Sequence, residues 1–95
     1  RMVLNLIMNY HTLERRVKGF ANHRRIQILE LLRKAPELSV YEIATKLKVN
    51  FKTVSEHVRR LAIAGLVLKR HEGNEVRHKL TLRAERILKF LRILE

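Results

Sequence analysis

The sequence predicts a mainly α-helical fold of about five helices with one small β-hairpin, organised as a single domain over residues 1–95. Three observations predict it. Apolar residues recur in steps of three and four through most of the chain, which is the period of helices with one buried face. Between Gly65 and Thr81 the period shortens to that of strands, on both sides of Glu72-Gly73-Asn74-Glu75. Only Pro36 and three glycines punctuate the chain, with no repeat, low-complexity tract or linker.

Taken in order, Val3, Leu6, Tyr10, Leu13 and Val17 give the first helix a single narrow apolar seam from Val3 to Lys18. Gly19 followed by Phe20 reads as its C-terminus with a hydrophobic closure. Asn22 is placed to cap a second helix, HRRIQILELLRK, whose Ile26, Ile28, Leu29, Leu31 and Leu32 exceed one stripe and require burial around much of its circumference. It stops before Pro36. Ser39 and Glu42 have the spacing of a capping box and open a short third helix with Ile43, Ala44 and Leu47 inward. Asn50 is available to cap a fourth, which runs to Ala64 and closes at Gly65 with Val54, Val58 and Leu61 inward.

Two strand-like runs, LVLKRH and VRHKLT, then flank Gly73-Asn74, a suitable two-residue hairpin turn. In that register Val67 faces Leu80, Lys69 faces His78, and Arg70 faces Arg77. The last pairing sets like charges opposite each other, which is unfavourable unless an anion lies nearby. Thr81 caps a last helix over residues 82–94, with Ala84, Ile87, Leu88, Leu91 and Leu94 on one side.

Charge narrows the partners. Twenty-one Lys and Arg against nine Asp and Glu give a net charge of +12, which attracts polyanions strongly, nucleic acid first among them. Cysteine is absent, so thiolate metal sites, disulfides and a cysteine nucleophile are excluded, as a cytoplasmic protein would have it. The apolar stretch MVLNLIM is far shorter than the roughly 20 residues a membrane span needs. An enzymatic reading fares worst: carboxylates are scattered among basic residues, no glycine-rich phosphate loop exists, and Ser55 and His57 do not face each other on a helix. No cofactor is expected.

Helix, four-residue connection, helix and charged hairpin together outline a winged helix-turn-helix, in which the helix over 51–64 enters the major groove and the hairpin over 66–81 is the wing. The sequence resembles the ArsR-like winged-helix transcriptional regulators over roughly residues 13 to 90. FANHRRIQILELL is similar to that family's opening core helix, ELSVYEIATKLKVNFKTVSEHVRRLAIAGLV to its helix-turn-helix, and KRHEGNEVRHKLT to its wing. The resemblance implies a homodimer joined through its first and last helices. Their apolar stripes point the same way, since one small core does not absorb both: Val3, Leu6, Leu13 and Val17 from helix 3–18, and Ile87, Leu91 and Leu94 from helix 82–94. Departures from the family are equally specific. Ser39 and Tyr41 stand where its metal-sensing members carry two thiolates, and residues 82 to 95 contain no histidine, so no metal site is expected at either place.

On the recognition helix, Lys52, Thr53, Ser55 and Glu56 are expected to read bases: Lys donates to guanine O6 and N7, Ser to several bases, and Glu accepts from cytosine N4. His57, Arg59, Arg60, Lys69, Arg70, Arg77 and Lys79 are expected to hold phosphates. Phe51 is left between packing near Val58 and Ala62 and contact with a thymine methyl. His71 and His78 share a hairpin face but lack a further ligand for a metal. The expected function is sequence-specific binding to an inverted repeat in double-stranded DNA as a homodimeric repressor. Its rivals are a basic chromatin-like or RNA-binding module with little sequence preference, and a winged helix used as a protein-interaction subunit.

Overall fold

A computed structural model of the chain describes residues 8–95. Helix α1 is Tyr10–Phe20, α2 His23–Lys34, α3 Val40–Leu47 and α4 Phe51–Ile63; strands β1 (Val67–Glu72) and β2 (Glu75–Leu80) follow, and α5 is Leu82–Leu94. The mainly helical fold with one antiparallel hairpin is the predicted one, and four of the five helices begin at the residue whose side chain was expected to start them. Asn22 accepts from the amides of Arg24 and Arg25 at 2.9 and 3.2 Å. Ser39 and Glu42 form the reciprocal capping box, with bonds of 2.8 and 3.1 Å. Asn50 accepts from Lys52 and Thr53, and Thr81 from Ala84.

The first helix departs from expectation. Met8 and Asn9 are not helical, and Asn9 caps α1 by accepting from the Thr12 amide at 3.0 Å, so the helix expected over Val3–Lys18 does not run through these two residues. Asn competes with helical backbone through its own side chain, and here it starts a helix where the apolar period alone runs through it. Val3 and Leu6 lie outside the described residues. Gly19 is not the terminus either, since α1 continues through Phe20. Its role is contact: a Cβ on Gly19 would sit 2.5 Å from the Cβ of Ala64, so its bare backbone lets α1 close on the end of α4.

The connection from α3 to α4 has three residues, Lys48 to Asn50, rather than four. Lys48 takes a left-handed conformation (φ 56°) that lets Val49 N–H reach the Ala44 carbonyl at 3.1 Å and turns the chain within that short span. At the other end of α4, Gly65 (φ 76°) allows Gly65 and Leu66 to donate to Ala62 and Leu61 at 3.0 and 2.9 Å, a complete Schellman closure.

The core is built from Ile28, Leu29 and Leu32 of α2, Ile43 and Ala44 of α3, Val54, Val58 and Leu61 of α4, Leu66, Val67 and Leu80 at the base of the hairpin, and Ala84 and Leu88 of α5. The hairpin has the predicted register, Val67 opposite Leu80, Lys69 opposite His78 and Arg70 opposite Arg77. An unanticipated pairing extends it: Glu37 N–H donates to His78 O at 2.9 Å and His78 N–H to Leu38 O at 3.0 Å. That bridge ties the wing to the entrance of the helix-turn-helix. It also holds Glu37 at φ 70°, where a non-glycine residue is strained by about 1–3 kcal/mol. None of α1 is buried.

Candidate nucleic-acid interface

With Val54, Val58 and Leu61 turned into the core, the pitch of α4 leaves Lys52, Thr53, Glu56, Arg59 and Arg60 exposed and Ser55 half-exposed on its opposite side. Of the expected base readers, Lys52 and Glu56 lie at the centre of that outward side near the capped N-terminus, with Thr53 and Ser55 on its two flanks. Phe51, at 52 % exposure, belongs to the same end and does not join the core. Glu56 does not stand alone there. Arg59 donates to it at 3.0 and 2.8 Å and Arg60 at 3.0 Å, and these two guanidinium groups, Arg59 first, pull its carboxyl down to about 2. In the free protein the acceptor expected to read bases is thus held by two cations expected to hold phosphates, a cluster that stays net positive.

His57 has a partner within the fold. Its Nδ1 accepts from Arg25 Nε at 3.2 Å, while Arg25 Nη1 donates to the carbonyls of Lys18 and Gly19. Burial first, and then the Arg25 charge, lower its pKa. With Nδ1 accepting from Arg25, Nε2–H is the donor the ring keeps for a phosphate. Through Nδ1 it also fixes Arg25, which staples α1 and α2 to α4. Nothing local in the sequence signals this link across 32 positions.

The wing separates its cations into two kinds. The anion that the Arg70–Arg77 pairing demands comes from the protein itself. Arg70 donates to Glu37 Oε1 at 3.0 and 2.6 Å. Arg77 donates to Glu72 at 3.0 Å, to Glu75 at 2.6 Å and to the Glu37 carbonyl at 2.9 Å, and lies 3.6 Å from Glu42. With its side chain only 27 % exposed, Arg77 clamps the wing to the start of α3, and these bonds compete with any phosphate for its guanidinium. Lys69 and Lys79, by contrast, are exposed and lack a carboxylate partner among the described residues. His78 is 1 % exposed and donates through Nδ1 to Leu38 O at 2.8 Å, while His71 is exposed. Among the described residues no three of His, Cys, Asp and Glu converge on a point that would hold a metal ion.

Away from this face, Leu13 and Val17 of α1 are 36 % and 50 % exposed, and Ile87 and Leu91 of α5 are half-buried with Leu94 exposed. Leu13, Val17 and Leu94 thus remain open in the single chain, while Ile87 and Leu91 pack in part against its own core. Among the described residues no helix is long and apolar enough to cross a membrane.

The fold has close parallels. The sequence model of the bacterial regulatory protein, arsR family, matches residues 22–69, from the cap of α2 to the first residues of the wing. The chain belongs to the ArsR family. Among solved structures it is similar to the homodimeric winged helix-turn-helix DNA-binding domain of Mb0332 from Mycobacterium bovis, a possible ArsR-family transcriptional regulator, at 31 % identity and a TM-score of 0.81, over 90 % of this chain and 79 % of that one. HlyU from Vibrio cholerae is 32 % identical with a TM-score of 0.78, over 90 % of this chain and 94 % of that one. The transcriptional repressor PagR of Bacillus anthracis is 28 % identical with a TM-score of 0.75, over 87 % and 99 %. No curated protein sequence matches significantly. The ArsR family consists of transcriptional regulators, and this member is a winged-helix DNA-binding protein of that kind.

Proposed function

We propose that this ArsR-family protein represses transcription as a homodimer that binds an inverted repeat in double-stranded DNA. The observation that carries the reading is the division of α4: one side is core, the other presents Lys52, Thr53, Ser55 and Glu56 beside Arg59 and Arg60. In the major groove, Lys52 donates to guanine and Ser55 to an adjacent base, and Glu56 accepts from a cytosine amino group once phosphates draw Arg59 and Arg60 away from it. The exchange makes recognition conditional. A carboxylate that finds no base donor is left unpaired beside phosphates, so wrong sequences are penalised as well as right ones rewarded. Lys69 and Lys79 add phosphate contacts from the wing, with Arg70 as a further donor when it leaves Glu37.

The homodimer reading is supported by the exposed Leu13 and Val17 on α1 and Leu94 on α5, beside the half-buried Ile87 and Leu91. It is supported too by the homodimeric Mb0332 domain. Two protomers related by a two-fold axis place two copies of α4 on half-sites that repeat with inverted polarity. The named repressor PagR supports the direction of regulation. Selection of bound sequences from a random duplex library tests the whole reading. An enriched palindromic motif, bound with two protomers per site, is expected. Equal affinity and equal salt dependence for selected and scrambled duplexes would instead identify a basic module without sequence preference.

A further inference from the structure

Where α1 passes the C-terminal end of α4, the surface folds into a cleft of about 650 Å3. Seven cationic side chains line it, and no carboxylate does. Four of them are already occupied: Lys18 by Glu14 at 3.1 Å, Arg25 by His57 and two carbonyls, and Arg59 and Arg60 by Glu56. Arg15, Arg16 and Arg83 have no carboxylate partner among the described residues. They come from two helices far apart in sequence, so the fold, not a local run, gathers them.

The rest of the lining is small or apolar. Ala64, Gly19 and Gly65 close in on it, with Ile63 largely exposed beside them, and a Cβ on Gly65 would lie 2.8 Å from Arg83 Nη1. Such a concavity has the size of a small-ligand site. Its cations repel one another unless an anion enters, and guanidinium groups favour phosphate through paired N–H donors. On α1, Thr12, Arg15, Arg16 and Gly19 occupy the side opposite Tyr10, Leu13 and Val17, so pairing of protomers through the apolar stripe leaves the cleft open.

We propose that this cleft binds a phosphate-type anion of two or more charges, and that its occupancy is communicated to the DNA-reading face because Arg59 and Arg60 belong to both. An anion in the cleft competes with Glu56 for these guanidinium groups, and each one drawn away frees the carboxylate they hold. The phosphates have two sources: a free phosphorylated small molecule, or the DNA backbone beside the operator. Only the second rests on the DNA-binding reading above.

Calorimetric titration of the full chain with sodium tripolyphosphate, at constant ionic strength, tests the site without DNA. One equivalent per protomer is expected, with affinity weakened about tenfold or more in Arg16→Ala and in Arg83→Ala and unchanged in the exposed control Lys46→Ala. Circular dichroism of each variant confirms that it is folded. Carbon-detected NMR should show the Glu56 carboxyl titrating at higher pH when tripolyphosphate is bound; an unmoved Glu56 would overturn the communication. Salt titrations with selected operator then assign the source. A slope reduced by about one unit in each arginine variant assigns the cleft to backbone phosphate, and an unchanged slope beside saturable tripolyphosphate binding assigns it to a free anion. If wild type and variants behave alike in both arms, the site does not exist.

Discussion

Replacing Gly19 by alanine separates two opposing effects by the sign of the result. In an isolated helix the change should stabilise, because alanine is favoured over glycine by up to about 1 kcal/mol, less here in the last turn. In this fold the new methyl would meet the Cβ of Ala64 at 2.5 Å, about an ångström inside ordinary carbon contact. Ala64 cannot turn aside, since its Cβ is fixed to the backbone that ends α4, so α1 itself has to move. Overpacking of this kind costs about 1–3 kcal/mol, and so deep an overlap belongs in the upper part of that range. The net expectation is a loss of about 1–2 kcal/mol, which for a chain of this size lowers Tm by about 5–10 °C. Thermal unfolding followed by circular dichroism measures it. Ala64→Gly in the same chain removes the clash and should recover most of the loss, giving a coupling energy that neither single change predicts. A Gly19→Ala variant that melts higher than wild type would refute the docking of α1 on the end of α4.

Four further outcomes follow. Leu13→Glu puts a charge into an apolar contact and should leave the protein monomeric in sedimentation at micromolar concentration, while wild type sediments as a dimer. Lys52→Ala and Ser55→Ala should cost about 1–3 kcal/mol of discrimination at particular base pairs, whereas Lys69→Ala and Lys79→Ala should lower affinity for all duplexes alike and reduce the salt slope by about one unit each, as competition binding over a salt series would reveal. Arg77→Ala should differ from both: the loss of its bonds to Glu72, Glu75 and the Glu37 carbonyl should lower Tm while leaving the salt slope nearly unchanged, and a full unit of slope would keep it in the phosphate-binding set. Burial lowers the folded pKa values of His57 and His78, so the unfolded chain takes up their protons first; stability is complete above the unfolded value of about 6.5 and is lost as pH falls through it towards the folded values. Melting at pH 7.5 and 5.5 should show that loss, and His78→Gln should reduce it.

Features encoded by neighbours in sequence were legible from it. Asn22, Ser39 with Glu42, Asn50 and Thr81 start helices because each reaches amides two or three positions ahead. The hairpin register followed from Gly73-Asn74 and the alternation around it, since a one-residue slip would turn Val67 and Leu80 out of the core. Features that depend on distant segments were not legible. The Leu38–His78 bridge and the Arg77 clamp join residues 40 apart, and neither leaves a period or spacing in the chain. The same limit explains the phosphate-binding set. Counting arginines found the basic face, but only the fold tells Lys79, which is unpartnered among the described residues, from Arg77, which four glutamates surround. At Asn9 the difficulty was competition: an apolar seam and a capping side chain made opposite demands on one residue, and the cap prevailed.

The bridge at Leu38 also bears on how the protein behaves when concentrated. A two-stranded ribbon ordinarily has two open margins, each able to recruit a strand from another molecule. Here Glu37 and Leu38 cover the outer margin of β2 at its centre, so among the described residues β1 carries the longer open one. That margin bears Lys69, Arg70 and His71 in succession, and stacking it on a copy of itself would bring these groups together. Leu68, though more than half exposed, is therefore flanked by charge that discourages growth of the sheet from chain to chain. The wing can present bare backbone and an apolar side chain to solvent and still resist becoming the seed of an aggregate.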